Sequence, residues 1–219
     1  MTDAGPFARV AAASGALALT LLFALHVLRP DLEPTSSVIS QYALGDYGGI
    51  LLMWFLTLAV GSAALLLALV RRVETIPAKI GLGFLAIATV GLIMGGVFPM
   101  DPVGTPPEQA SQSGNLHNAA GMFGITGLVL ATLFLGLSLR KRAPWTPVRG
   151  WLTALTHFIW IGDVAMIAAM ASMFSQPQPA EAANFMGVGN RVLMIAFSGW
   201  LIAVAWPLTG WSADRHRQM

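Results

Sequence analysis

The chain has 219 residues, of which 56% are apolar and only 10% charged, with a mean hydropathy of +0.70 and no cysteine. A soluble globular domain usually carries about 25% charged residues, so a water-soluble enzyme is excluded, and so is a disordered chain, which lacks this much apolar surface. Disulfides, thiolate metal sites and cysteine nucleophiles are excluded with the cysteines, and the net charge of +2 acquires meaning only from where the charges lie.

Six stretches reach the roughly 20 apolar residues that a membrane-spanning helix needs. They are 10–28, 49–70, 80–99, 117–139, 151–174 and 192–209, with longer connections at 29–48, 100–116 and 175–191. The first is read as a retained span, because Leu28-Arg29-Pro30-Asp31 offers no small-residue cleavage site. Ten of the 12 Lys and Arg residues fall at the two ends or in the second and fourth connections, and Arg29 and Arg191 lie opposite. The positive-inside rule then places both termini in the cytoplasm and the three longer loops outside. The expected fold is an all-α, polytopic six-helix bundle forming a single transmembrane domain over 1–219. The basic excess is an orientation signal, and no nucleic-acid partner is expected.

Small residues indicate packing. Gly91 and Gly95, with Gly96 beside them, and Gly121, Gly124 and Gly127 let neighbouring backbones approach closely. Such faces serve a homo-oligomer as well as a single chain. Trp145, Trp151, Trp206 and Trp211 are expected as interfacial anchors near the cytoplasmic ends of the last two spans.

The outer loops carry most of the polar chemistry. In the first, Thr35 or Ser36 as cap and Gly45 as stop predict a short helix lying on the membrane surface. The second places Asp101 at the mouth of span three and His117 at the opening of span four. The third contains Pro177, Pro179 and Glu181 and closes with Gly187-Val188-Gly189-Asn190-Arg191.

A first span bearing His26, then Ile-Ser-Gln-Tyr-Ala-Leu-Gly (39–45), Phe-Pro-Met-Asp-Pro (98–102), Gly-Asn-Leu-His (114–117) and Gly-Val-Gly-Asn-Arg (187–191) form one pattern. Together they resemble the bacterial and archaeal membrane family called domain of unknown function 998, itself distantly similar to the FRAG, DRAM and Sfk membrane proteins. Where members often carry an acid between Ser40 and Tyr42, Gln41 stands here. The resemblance implies six helices in a prokaryotic plasma membrane and no particular activity.

Alternating spans bring His26, Ser40, Asp101, His117 and Arg191 to one side, with Gln41 and Tyr42 in the same first loop. A histidine can act as acid, base or ligand near neutral pH, and an arginine can hold an anionic group bidentately. The same residues can instead clip loops to helices: Asp101 or Asn115 as a helix cap, His117 on a loop carbonyl, Arg191 paired with Asp101. Asp163, near the middle of span five, is a functional candidate because an ionised group there is costly. Thr156 and Trp160 share its face and His157 does not.

The leading expectation is a protein whose outer cleft binds or converts a membrane lipid or other hydrophobic small molecule. Asp101, His117 and Asp163 are the catalytic candidates, and His26, Ser40, Gln41, Tyr42, Trp160 and Arg191 the ligand-binding ones. A hydrolase would use His117 as base, Asp101 as its orienter and Ser40 or water as nucleophile; isoprenoid chemistry would use a protonated aspartate among aromatic side chains. The alternatives are a non-catalytic sensor, regulator or scaffold, a small transporter, and a b-type haem protein ligated by His26 and His117. No metal site is expected, since only His26, His117 and Asp101 are available on that side, and no cofactor is assigned.

Overall fold

A backbone surrounded by hydrocarbon must satisfy its own hydrogen bonds, and the apolar stretches of this chain do so as helices. The computed structural model describes residues 4–175 and 185–210. Its helices are α1 (Gly5–Leu28), α2 (Gly48–Leu69), α3 (Ile76–Val97), α4 (Gln112–Leu139), α5 (Arg149–Ser175) and α6 (Met186–Ala205). All six are long and apolar enough to cross a membrane, as suits a multi-pass membrane protein. Pro6 and Pro77 sit in the first turns of α1 and α3, where a missing N–H costs nothing. Glu181 and the prolines at 177 and 179 lie outside the described residues, as does Trp211.

The helices close into a ring. α1 packs against α2 and α6, α2 against α3, α3 against α4, and α5 against α6, while α4 and α5 meet only sparingly. Glycine decides where backbones touch. A Cβ at Gly91 would strike the backbone of Gly124, and one at Gly127 would stand 2.9 Å from both Ala88 N and Phe84 O. Gly95 and Gly96 receive Phe55 of α2 instead, and Gly121 faces open space. Gly162 and Gly189 make the corresponding α5–α6 approach, where a Cβ on Gly162 would lie 2.6 Å from Gly189 O.

Three local expectations need correction. The connection between α1 and α2 carries no surface helix from Thr35 onward, only a 3-10 turn over Ile39–Ala43, with Ile39 and Tyr42 buried in the bundle. The carbonyls of Pro34, Thr35 and Ser37 turn towards α6, leaving Thr35 and Ser36 no helix to cap; Gly45, at φ +110°, does stop the segment. α4 begins at Gln112 rather than at 117, because Ser111 accepts a hydrogen bond from Gly114 N and caps it earlier. Trp145 is no interfacial anchor: it is buried, and its indole donates to Val204 O at 2.9 Å. Trp151, by contrast, is 69% exposed, as an interfacial tryptophan is.

Candidate functional site

The first turn of α6 is a dock for the connection between α1 and α2. A Cβ on Gly187 would lie 2.5–2.7 Å from the carbonyls of Pro34, Thr35 and Ser37, so only glycine admits the loop this closely. Val188 N donates to Thr35 O at 3.2 Å. Asn190 Oδ1 accepts from Ile39 N at 2.8 Å, which caps the 3-10 turn from across the bundle.

Arg191 completes the clamp. Its Nη1 donates to Ser37 O and to Gly187 O (3.2 Å), its Nη2 to Tyr42 Oη (3.3 Å), and its Nε to His26 Nε2 (2.7 Å). The guanidinium carbon also lies 5.9 Å from the centre of the Tyr42 ring. His26 Nδ1 donates to Leu22 O at 2.7 Å, so Nε2 is free to accept and the imidazole is neutral. Arg191 is 8% exposed and has no carboxylate partner among the described residues. A buried cation held by carbonyls, a phenol and a neutral imidazole fixes the loop by direction as well as by charge.

A second set clips the connection between α3 and α4. Asp101 Oδ2 accepts from Ser111 N at 2.9 Å, and its carboxylate lies so close over Gly114 that no Cβ fits there. Ser113 donates to Pro99 O at 2.9 Å. His117 Nδ1 meets Phe98 O at 2.8 Å and Gly95 O at 3.1 Å; both are acceptors, so Nδ1 carries the proton and Nε2 remains an acceptor. The ring of His117 packs edge-on against Phe55. Asp101 therefore does not orient His117; the terminal carbonyls of α3 do. Gly114→Ala is expected to push the Asp101 carboxylate off Ser111 and lower stability by about 1–3 kcal/mol. Thermal melting beside Gly83→Ala, at a glycine with nothing near it, checks this.

Between these two sets lies a cavity of about 60 Å³. Ile39 and Ser40 roof it, and α2, α3, α4 and α6 wall it with Trp54, Gly121, His117 and Asn190 among others. With roughly 30 Å³ per water-sized group, it admits the tip of a chain rather than a whole lipid. Its walls are mostly apolar, yet they carry unspent polar capacity. Trp54 Nε1 is buried without a partner, Ser40 makes no side-chain hydrogen bond among the described residues, and His117 Nε2 is an open acceptor. Asn190 spends its amide on Ile39 N and on Met166 sulfur (3.7 Å).

The expected cluster thus divides. Ser40 and His117 share the cavity; His26, Tyr42 and Arg191 form the clamp; Asp101 holds the α3–α4 connection. Gln41 lies within the 3-10 turn and does not line the cavity. Asp163 and Trp160 sit on α5, away from it: Asp163 is half-buried with no hydrogen bond among the described residues, and Trp160 Nε1 is buried without an acceptor. Both ring nitrogens of His26 are engaged, so axial ligation of a haem there would break the Arg191 contact. Among the described residues no three His, Asp or Glu side chains can share a metal ion. Trp54, Asn190 and Gly121 emerge as cavity residues only in three dimensions. Asn190 stands in the Gly-rich motif, while Trp54, near the start of α2, had no signal in the sequence.

A family model described as protein of unknown function (DUF998) matches residues 12–207, which takes in nearly all of the six helices. No curated protein and no solved structure matches.

Proposed function

The chain belongs to the DUF998 family, and from that premise we propose that it binds the tip of one chain of a membrane amphiphile in the loop-roofed cavity. The observation that carries this reading is that Ser40, Trp54 and His117, each with a polar group not spent on a protein partner, line one otherwise apolar pocket. Ligand sites have this make-up, with a few convergent polar groups on hydrophobic walls. Gly121, facing open space, leaves the lateral entrance clear. The Lys and Arg distribution supports an N-in, C-in topology, which turns the cavity to the outer leaflet, and the family resemblance supports a prokaryotic plasma membrane. A hydrolytic version draws on His117 Nε2 as base and Ser40 as nucleophile within the same cavity, with Asp101 outside the reaction.

The test is native mass spectrometry of protein extracted gently with its lipids, beside Gly121→Leu. The leucine would occupy the space of about two methylenes at roughly 0.8 kcal/mol each, so bound amphiphile is expected to fall about tenfold with melting unchanged. A wild-type protein carrying only bulk lipid in bulk proportion, or a Gly121→Leu protein carrying as much ligand as wild type, would overturn the reading.

A further inference from the structure

On the membrane side opposite the roofed cavity, a second groove opens between α4 and α5. It measures about 440 Å³ and is lined by Leu133, Gly136 and Leu137 of α4 and by Thr153, Thr156 and Trp160 of α5. The groove exists because α5 leans on α6 and meets α4 only sparingly, with a close approach at Gly136, where a Cβ would stand 2.9 Å from Thr156 Oγ1. At the membrane surface it runs into a wider depression of about 550 Å³ edged by Arg140, Lys141 and Arg149. Arg140 and Thr153 belong to both.

The three cations are uncommitted. Arg142, on the same connection, donates to Arg72 O at 2.7 Å and lies 3.9 Å from Glu74. Arg140, Lys141 and Arg149 have no side-chain hydrogen bond or ion pair among the described residues. Deeper in the wall, the Thr156 hydroxyl and the Trp160 indole N–H are buried donors with no protein acceptor, and Thr156 is 8% exposed. The groove therefore has a basic mouth at headgroup level and a mostly apolar slot at acyl-chain depth.

We propose that this groove binds an anionic phospholipid from the leaflet on that side. The phosphate lies among Arg140, Lys141 and Arg149, and an acyl chain lies between α4 and α5. Basic pockets between transmembrane helices hold anionic headgroups in this way. Charge selects the occupant, because a zwitterionic headgroup brings its own cation to three others, and a free phosphate leaves the apolar slot unfilled. The site is separate from the roofed cavity and stands whether or not that cavity binds anything.

The experiment reconstitutes the full chain in phosphatidylcholine nanodiscs and titrates in phosphatidylglycerol, counting retained lipid by native mass spectrometry. The variants are Arg140→Gln/Lys141→Gln/Arg149→Gln, the control Arg71→Gln/Lys79→Gln on the same membrane side, and Leu133→Trp, which fills the slot without touching a charge. At roughly fivefold per cation near the membrane surface, the triple variant should bind phosphatidylglycerol about a hundredfold more weakly, while the control binds as wild type does. Leu133→Trp should also weaken it, which a purely electrostatic surface would not show. Equal retention of phosphatidylcholine, an unaffected triple variant or an unaffected Leu133→Trp overturns the proposal. Competition by inorganic phosphate alone at equal strength overturns it too, since the site would then be one for the ion.

Discussion

Replacing Arg191 with leucine is expected to lower the stability of the protein by about 3 kcal/mol, seen as a fall in Tm of roughly 6–12 °C. Leucine fills much of the volume but leaves Ser37 O, Tyr42 Oη and His26 Nε2 without their donor. A stranded buried polar group costs about 1–3 kcal/mol. The sum is reduced because leucine also removes a buried cation that has no counter-charge, and the net sign stays unfavourable because three groups lose one shared partner. Arg191→Lys should fall between the two: it keeps the charge, but a single ammonium cannot reach both the imidazole and the far side of the clamp. A local readout separates loss of the clamp from general weakening. The chain has no cysteine, so Ser40→Cys places one thiol on the roof of the cavity. With Arg191 present it should react slowly with a polar maleimide, and in the Arg191→Leu background faster by about the tenfold that 1.4 kcal/mol of lost closure implies. Unchanged melting and unchanged labelling would show that the loop is held by other means.

Gly91→Val is expected to abolish folding outright. At this point α3 and α4 touch through backbone, with Gly124 N 2.9 Å and Ala120 O 3.0 Å from where the new Cβ would stand. Overpacking usually costs about 1–3 kcal/mol because side chains can rotate away. Here there is no side chain to rotate, so one helix must shift bodily, and the neighbouring contact of Gly127 with Ala88 and Phe84 goes with it. Valine adds a β-branched side chain to a helix whose close approach depends on having none. The check is the yield of monodisperse protein in size-exclusion chromatography, with Gly83→Val as companion, since nothing lies near Gly83. A Gly91→Val protein that purifies and melts like wild type would disprove the backbone contact.

Composition and charge placement were enough to read the helices, because twenty apolar residues in a row leave a chain few other structures. Which helices pair was less legible. The spacing of Gly91, Gly124 and Gly127 marks close-packing faces, but nothing in it says that Gly95 and Gly96 meet Phe55 or that Gly121 meets nothing. The polar residues show the same limit. Charge alone suggests Arg191 beside Asp101; in the fold Asp101 is engaged by Ser111 N, and Arg191 finds neutral acceptors on the first loop. The cap-and-stop pattern from Thr35 to Gly45 was sound local grammar, overruled because Gly187 draws the loop carbonyls onto α6. His117 on a loop carbonyl was one of two open readings from sequence, and the fold realises it at Phe98. A backbone acceptor leaves no trace in the sequence, and these polar contacts are made largely to backbone.

The seam between α1 and α6 sets the order in which the molecule can be finished during translation. Of the six helices, the first to leave the ribosome meets the sixth: a Cβ on Gly15 would stand 2.6 Å from Ser198 O, Arg9 Nε donates to Thr209 O at 3.0 Å, and His26 accepts from Arg191. Helices emerge in sequence and associate laterally after insertion, so the α3–α4 pair can assemble while α1 still waits with one flank against lipid. Until α6 arrives, the α1–α2 connection has no dock and His26 no donor. The arrival of α6, the sealing of the ring and the roofing of the cavity are therefore a single late step in the assembly of the six helices.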